Sequence, residues 1–150
     1  MSDASKVRVI LMAEDDADDR LLAQDAMSEC HWEGDLRFVE NGEELLDYLT
    51  SRGRYTQLAS APRPGLILLD LNMPRKDGRE SLREIKADRD LRHIPVVVFT
   101  TSKAGTDIGE MYELGANSFI SKPVQFDALV EVMRILGQYW FNTVELPAPR

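Results

Sequence analysis

The segment LILLDLNMP, which spans residues 66–74, decides the predicted fold of this chain. Four consecutive apolar residues open the segment, and Asp70 follows them directly. A continuous Leu/Ile run without polar alternation is typical of a strand covered on both faces, as in a parallel sheet. Asp70 is then expected at the carboxyl end of that strand, which is where open parallel sheets bind their ligands.

Four further segments predict strands on either side of residues 66–69. VRVILMA at 7–13 is continuously apolar from Val9 onward, PVVVF at 95–99 is apolar throughout, and SFI at 118–120 is a shorter segment. LRFV at 36–39 alternates apolar and polar side chains, which is the pattern of an edge strand. With residues 66–69, these segments make five predicted strands.

Amphipathic helices are predicted between and after the strands. Their expected bounds are residues 18–29, 42–49, 79–86, 106–114 and 126–140. In the first helix, the apolar residues expected on one buried face are Leu21, Leu22, Ala26 and Met27. Strand and helix alternate throughout, and this order predicts an α/β protein with a (βα)5 doubly wound, five-stranded parallel sheet.

Composition narrows the class of protein. The chain has 150 residues and is 43% hydrophobic and 29% charged, which suits one soluble domain with a core of ordinary size. The net charge of −8 argues against non-specific nucleic-acid binding, so no nucleic-acid partner is expected. Cys30 is the only cysteine, which excludes an internal disulfide and a zinc site of several thiolates. Without a signal-like or membrane-spanning apolar run, we expect a cytoplasmic protein that does not contact membranes.

Two segments interrupt the alternation of strands and helices. Residues 52–65 (RGRYTQLASAPRPG) form an unusually long connection before the third strand, and this connection is either a tolerated surface insertion or a binding loop. Residues 141–150 follow the last helix and contain a β-prone piece at 143–146. We therefore predict one domain over residues 1–140 and a C-terminal tail, 141–150, as a candidate dimerisation extension.

Chemically distinctive residues follow four of the predicted strands, whose carboxyl ends meet at one edge of a parallel sheet. They are acids, hydroxyls, an amide, a lysine and a proline: Glu14, Asp15 and Asp16; Asp70 and Asn72; Thr100, Thr101 and Ser102; and Ser121, Lys122 and Pro123. Each one alone is a weak signal, because acids and hydroxyls after strands are often helix caps. Four strand ends that carry such residues in this order indicate a shared site.

Carboxylates that converge at one edge repel each other, and a hard divalent cation such as Mg²⁺ relieves that repulsion. Asp15 and Asp70 are the best candidates for direct ligands, and Glu14 is a ligand either directly or through water. A backbone carbonyl near Asn72 is a further candidate oxygen. An aspartate held in this way can attack phosphorus and form an acyl phosphate.

The charge of a phosphoryl group requires donors, and Lys122 supplies a point charge while Thr100 supplies a hydroxyl. Three alternatives compete with this interpretation. A Mg²⁺-dependent hydrolase of the haloacid-dehalogenase kind needs an acid two residues after its nucleophile, where this chain has Asn72. A nucleotide-binding module would carry GxxxxGK[ST] or GxGxxG, and neither motif is present. A scaffold that acts without phosphorylation stays open.

These motifs resemble the receiver domain of two-component response regulators. The resemblance covers about residues 5–138 and rests on four motifs: Glu14-Asp15, LDLNMP at 69–74 with Asp77-Gly78, FTTS at 99–102, and FISKP at 119–123. It implies the flavodoxin-like receiver fold, and it implies that a histidine kinase transfers a phosphoryl group to Asp70.

The resemblance also implies roles for the other site residues. The Mg²⁺ site would consist of Glu14, Asp15, Asp70 and the carbonyl of Asn72. Thr100 and Lys122 would contact the phosphoryl group. Thr100 and Phe119 would form the switch, in which Phe119 rotates into space that Thr100 vacates.

A narrower resemblance concerns the exact residues of the motifs and of the tail. DLNMPRKDGRE, VVVFTTS, the long loop and a tail that reads W-x-x-x-V-E-L-P at 140–147 are similar to the small single-domain regulators of bacterial phytochrome histidine kinases. This implies a phytochrome kinase as partner. Because the chain ends where an output domain would begin, we expect output through protein contacts, or a role as a phosphate relay or sink. The narrower resemblance also favours a homodimer, for which the expected interface residues are Tyr139, Trp140, Phe141, Val144 and Leu146. These side chains could instead cover their own domain.

Overall fold

A computed structural model describes residues 9–32, 34–57, 62–101 and 105–147. Its elements, in chain order, are β1 (Val9–Ala13), α1 (Ala17–Glu29), β2 (Asp35–Val39), α2 (Gly42–Thr50), a short 3₁₀ helix (Gly53–Tyr55), β3 (Leu66–Leu69), α3 (Gly78–Ala87), β4 (Val96–Thr100), α4 (Gly105–Glu113), β5 (Ser118–Ser121) and α5 (Phe126–Asn142). The predicted (βα)5 order is therefore confirmed. Residues 7 and 8 of the first predicted strand lie outside the described residues.

The five strands form one parallel sheet in the order β2-β1-β3-β4-β5. β2 lies at one edge, as the alternating pattern predicts. The chain runs from β1 to β2 on one side and then crosses to β3 on the other, so the topological switch point lies between β1 and β3. Ala13 pairs with Leu69 at the carboxyl ends of these two strands, so Glu14 and Asp70 follow on adjacent strands at the switch point.

Helices cover both faces of the sheet. Successive strand residues point to opposite sides, so each central strand contributes side chains to two cores. Leu11 and Ile67 face a buried core that α2, α3 and α4 complete. Ile10 and Leu68 face a second core that α1 and α5 complete. This arrangement explains why the central strands are continuous apolar runs rather than alternating ones.

Helix α1 differs from the prediction in its buried face. Ala26 and Met27 are buried as expected, but Leu21 is 58% exposed and Leu22 is 43% exposed, so their predicted burial was wrong. The buried positions of α1 are Ala23, Ala26 and Met27, which share the i, i+3, i+4 spacing of one helix face. Leu21 and Leu22 lie outside that stripe.

The long connection after α2 folds onto its own domain over the residues that the structure describes. Tyr55 is buried, and its ring centroid lies 5.0 Å from that of Tyr48. The Tyr48 hydroxyl donates to the Pro62 carbonyl at 2.6 Å, and Arg63 donates to the Leu49 carbonyl at 2.7 Å. Residues 58–61 lie outside the description, so the choice between an insertion and a binding loop stays open.

The C-terminal segment continues α5 to Asn142, and residues 143–147 adopt no strand despite their β-prone sequence. Phe141 is buried, and its ring lies 5.1 Å from that of Trp32. Leu146 packs against the same core as Phe141. Trp140 packs against this core as well, so three of the five residues predicted for a dimer interface contact their own domain.

The other two predicted interface residues differ in exposure: Tyr139 is exposed, while Val144 is half-buried. The homodimer stays a prediction. No helix among the described residues is long and apolar enough to cross a membrane.

Candidate functional site

Backbone hydrogen bonds continue the sheet one residue beyond its strands and thereby fix the side chains of the site. The Glu14 N–H donates to Val39 at 2.9 Å, and the Asp70 N–H donates to Ala13 at 3.2 Å. The Lys122 N–H donates to the Thr100 carbonyl at 2.8 Å. Residues that are distant in sequence therefore converge at the carboxyl edge of the sheet.

Three carboxylates form the acidic part of the site. Glu14, Asp15 and Asp70 each offer an oxygen atom, and these atoms all lie within 4.8 Å of one another. Glu14 is 1% exposed and Asp70 is 6% exposed, whereas Asp15 is open to solvent. A cluster of carboxylate oxygens at this spacing suits a hard divalent cation, which takes oxygen ligands and keeps some of its waters on an open side.

Asp70 is the most constrained of the three carboxylates. Its Oδ1 accepts a hydrogen bond from the buried Thr100 hydroxyl at 2.7 Å and another from the Asn72 N–H at 3.3 Å. Its Oδ2 lies 3.7 Å from the Lys122 ammonium. The predicted role of the Asn72 carbonyl as a metal ligand stays a prediction.

Lys122 is the cation of the site. Its ammonium forms an ion pair with Glu14, and it lies 3.3 Å from Asp19 Oδ2 and 3.7 Å from Asp70 Oδ2. Burial disfavours the ammonium form, but the hydrogen bond to Glu14 and the neighbouring carboxylate charges outweigh burial and raise the pKa of Lys122. Lys122 therefore stays charged inside the pocket.

Burial removes water from the Glu14 carboxylate and thereby changes its pKa. Burial raises the pKa of Glu14 to about 7, although Lys122 opposes the shift. Two further contacts hold this residue in place: the Asp16 N–H donates to Glu14 Oε2 at 3.1 Å, and Arg20 donates to the Glu14 carbonyl at 2.8 Å. Loss of solvation at Glu14 therefore outweighs the attraction of the neighbouring ammonium.

Helix starts support the site from two sides. The Asp16 side chain caps α1 by accepting from the backbone N–H groups of Asp18 and Asp19. Asp77 caps α3, and Gly78 packs so closely on the Asp70 carbonyl that a Cβ there would overlap it. The first residues of α1 and α3 are thus tied to the loops that carry Asp15 and Asp70.

The remaining predicted residues divide into three groups. Phe119 is half-buried and packs against the core on the α2, α3 and α4 face. Thr101 and Ser121 are exposed, and Pro123 is half-buried. Ser102 lies outside the described residues.

Sequence reasoning missed Asp19 and Arg20, which reach the site from α1. Their signal was available, because both residues fall within the first turns of a helix that begins next to Asp15 and Asp16. Acids and arginines on a helix surface are so common that their spacing alone did not distinguish them.

Comparison with known proteins gives the family. The model of the response regulator receiver domain matches residues 10–134. The response regulator Rcp1 of Synechocystis sp. is 40% identical over 149 residues, which are 99% of this chain and 99% of that protein. The crystal structure of its Mn²⁺-bound form superposes with a TM-score of 0.83 at 40% identity and covers 94% of this chain and 99% of that one.

Two further crystal structures are similar. The response regulator RPA3017 "in red light signaling of R. palustris" has a TM-score of 0.90 at 39% identity, over 95% of this chain and 99% of that one. The phosphorylated cyanobacterial phytochrome response regulator RcpA has a TM-score of 0.87 at 39% identity, over 95% of this chain and all (100%) of that one. With the fold, the acidic cluster and these matches in agreement, the chain belongs to the response regulator receiver domain family.

Proposed function

We propose that this protein is a response regulator in which Asp70 accepts a phosphoryl group from a phosphohistidine of a histidine kinase. The observation that carries the proposal is the environment of Asp70: a nearly buried carboxylate beside a hydroxyl, an ammonium and two further carboxylates. Each of these neighbours has a task in phosphoryl transfer, and the family resemblance assigns the same tasks.

In the proposed reaction, a carboxylate oxygen of Asp70 attacks phosphorus in line. The new O–P bond forms as the P–N bond to the kinase histidine breaks, and the histidine nitrogen leaves with the bonding electrons and takes up a proton. Lys122 and the Thr100 hydroxyl lie within reach of Asp70 and would donate to the phosphoryl oxygens. Movement of Thr100 toward the phosphoryl group would free space for Phe119 to rotate, which would change the surface formed by α4, β5 and α5.

Mg²⁺ is the proposed metal. The donor set fits this ion, because Glu14, Asp15 and Asp70 supply only oxygen atoms and Asp15 leaves one side open to water and phosphate. When bound, Mg²⁺ supplies charge neutralisation between the carboxylates and the incoming phosphoryl oxygens. The Asn72 carbonyl is the fourth proposed ligand.

Labelling by acetyl phosphate tests the phosphoacceptor directly. We expect Mg²⁺-dependent, alkali-labile phosphorylation of the wild type, background labelling of Asp70→Asn, and normal labelling of the matched control Asp18→Asn, whose carboxylate is exposed on α1. Undiminished labelling of Asp70→Asn would contradict the assignment.

Turnover of a small phosphate ester tests the competing hydrolase. In the proposed function, the protein is a signalling phosphoacceptor and not an enzyme that turns over other substrates, because it catalyses only its own phosphorylation and dephosphorylation. We expect no sustained phosphatase activity, since Asn72 cannot protonate a leaving group. Sustained turnover would favour the hydrolase interpretation.

A bacterial phytochrome kinase is the proposed partner, and the similarity to RcpA and to RPA3017 supports it. Phosphotransfer from a panel of histidine kinases measures the preference. A phytochrome kinase should transfer its phosphoryl group to Asp70 fastest, and an equal or faster rate from unrelated kinases would contradict this choice.

A homodimer in the cytoplasm, without nucleic-acid contact, is the proposed context. Residues 1–140 would form the receiver domain, and residues 141–150 would extend the interface. The exposed Tyr139 and the half-buried Val144 support an interface at the end of α5, whereas Trp140, Phe141 and Leu146 pack against their own core. Sedimentation at tens of micromolar, with and without phosphorylation, tests this, and a monomer in both states would exclude the dimer.

A further inference from the structure

The Lys122 ammonium is shared by three carboxylates of different kinds. Glu14 and Asp70 belong to the acidic cluster that offers oxygen atoms to a cation. Asp19 does not belong to that cluster, yet its Oδ2 lies 3.3 Å from the same ammonium. Asp19 is therefore the one described carboxylate that contacts Lys122 without being a candidate metal ligand.

A divalent cation and the ammonium compete for the same oxygen atoms. Lys122 pairs with Glu14, which the cation would also need, and two cations held a few ångströms apart repel each other strongly in a poorly solvated pocket. The Lys122 side chain is only 10% exposed, so its complete release into solvent is restricted by the surrounding protein. Binding of the divalent cation therefore requires another acceptor for the ammonium.

Asp19 is positioned to be that acceptor. The Asp16 cap accepts from the Asp19 N–H at 3.3 Å and fixes the first turn of α1 next to the pocket. The Asp19 side chain is 37% exposed, so it can hold a cation without a large desolvation cost. Its neighbour Asp18 is exposed and makes no side-chain ion pair among the residues that the structure describes.

We infer that Asp19 is a positioning residue that retains the Lys122 ammonium when a divalent cation takes over Glu14. The inference rests on the proposed Mg²⁺ site at Glu14, Asp15 and Asp70. Asp19 thereby keeps the ammonium close to Asp70, where the phosphoryl group is to arrive. Asp19 itself touches neither the cation nor the phosphoryl group.

Nitrogen-15 spectra of the lysine ammonium groups test this without any activity measurement. A lysine ammonium is observable only when a hydrogen bond or ion pair slows its proton exchange, and Lys122→Arg identifies the signal. In the wild type, the Lys122 signal should be present without Mg²⁺ and should persist with Mg²⁺. In Asp19→Ala, it should be present without Mg²⁺, where Glu14 holds it, and be lost when Mg²⁺ is added.

Asp18→Ala is the matched control, because it removes the same charge from the same helix turn. It should behave as the wild type does. Alanine favours helix at both positions, so the two variants should keep the wild-type amide spectrum. Loss of the wild-type signal on Mg²⁺ addition, or its persistence in Asp19→Ala, would overturn the inference.

The backbone amides of Asp70 and Asn72 report metal binding separately. If these amides do not shift with Mg²⁺ in the wild type, the proposed metal site fails, and the inference fails with it. If they shift and the Lys122 signals of Asp19→Ala and Asp18→Ala respond alike, the metal site stands and only the role of Asp19 is overturned.

Discussion

Replacement of Gly78 by alanine is expected to disturb both the fold and the site, because α3 begins against the backbone of Asp70, the proposed phosphoacceptor. A Cβ at Gly78 would lie 2.8 Å from the Cα of Leu71 and closer still to the carbonyl oxygen of Asp70. Gly78 has no positive φ, so the alanine backbone itself is not strained. The clash alone therefore sets the cost.

The structure gives the size of the effect. To restore an ordinary contact of about 3.4 Å, the start of α3 must retreat by at least about 0.6 Å. Overpacking of this kind costs about 1–3 kcal/mol, and the better helix propensity of alanine returns less than about 1 kcal/mol. We expect a net loss of about 1–2 kcal/mol, which corresponds to a drop of roughly 2–8 °C in Tm.

Gly109→Ala is the matched control for this prediction. Gly109 also lies within a helix, and a Cβ there would meet no atom within 4 Å. The control should gain about 0.5–1 kcal/mol from helix propensity. Thermal and denaturant unfolding of both variants measure the difference, and a Gly78→Ala protein as stable as Gly109→Ala would refute the reasoning.

A functional consequence accompanies the loss of stability. The retreat of α3 displaces the backbone of Asp70, and an ångström of misplacement can cost about a hundredfold in a reaction that depends on positioning. We expect Gly78→Ala to be labelled by acetyl phosphate at least about tenfold more slowly than the wild type at a temperature where both are folded. Gly109→Ala should be labelled at the wild-type rate.

Three further predictions concern side chains of α2, α5 and α3. Burial raises the pKa of Tyr48 from 10.0 to about 12. The neutral Tyr48 hydroxyl therefore makes a contribution to stability that is fully present below pH 10 and is lost as the pH rises through 12. Between about pH 8 and pH 11, the free energy of unfolding of Tyr48→Phe should therefore fall by about 1.4 kcal/mol less than that of the wild type, as measured by denaturant unfolding. An equal fall in both proteins would contradict the raised pKa. Phe141→Ala should cost about 3 kcal/mol because the ring is buried against Trp32, and a loss below about 1 kcal/mol in chemical unfolding would mean that the tail does not pack on its own domain. Arg79→Met should speed amide hydrogen exchange in α4, because Arg79 binds two acids of that helix, whereas Arg89→Met should not; unchanged exchange would show that the contact does not hold α4.

Much of the site could be predicted because its residues lie at strand ends. Leu66–Leu69 is continuous and apolar, so its ends were clear, and Asp70 had to follow at the carboxyl edge. The same reasoning located Glu14 and Lys122, whose backbones are held by the neighbouring strands. A parallel sheet converts sequence position directly into spatial proximity, and little further information was required.

The residues that were missed or misplaced lie on helices. The buried face of α1 consists of small residues, so a search for large apolar side chains chose Leu21 and Leu22 instead. Asp19 reaches Lys122 only because the Asp16 cap sets the phase of α1. Such placements depend on tertiary contacts and helix phase, which a pattern of residue types does not contain.

The balance of charge in the pocket connects these observations to signalling. Glu14, Asp15 and Asp70 bring three carboxylates together, while Lys122 supplies one ammonium. One further divalent cation would make this set neutral, which would offset the cost of burying the carboxylates of Glu14 and Asp70. The proposed phosphorylation would add negative charge at Asp70, where the Lys122 ammonium is the nearby cation able to respond. Once a divalent cation has taken over Glu14, a lysine held by the half-exposed Asp19 would make that move at lower cost than one still paired with the buried Glu14. The strength of the Asp19 contact is therefore expected to influence how readily the pocket accepts a phosphoryl group.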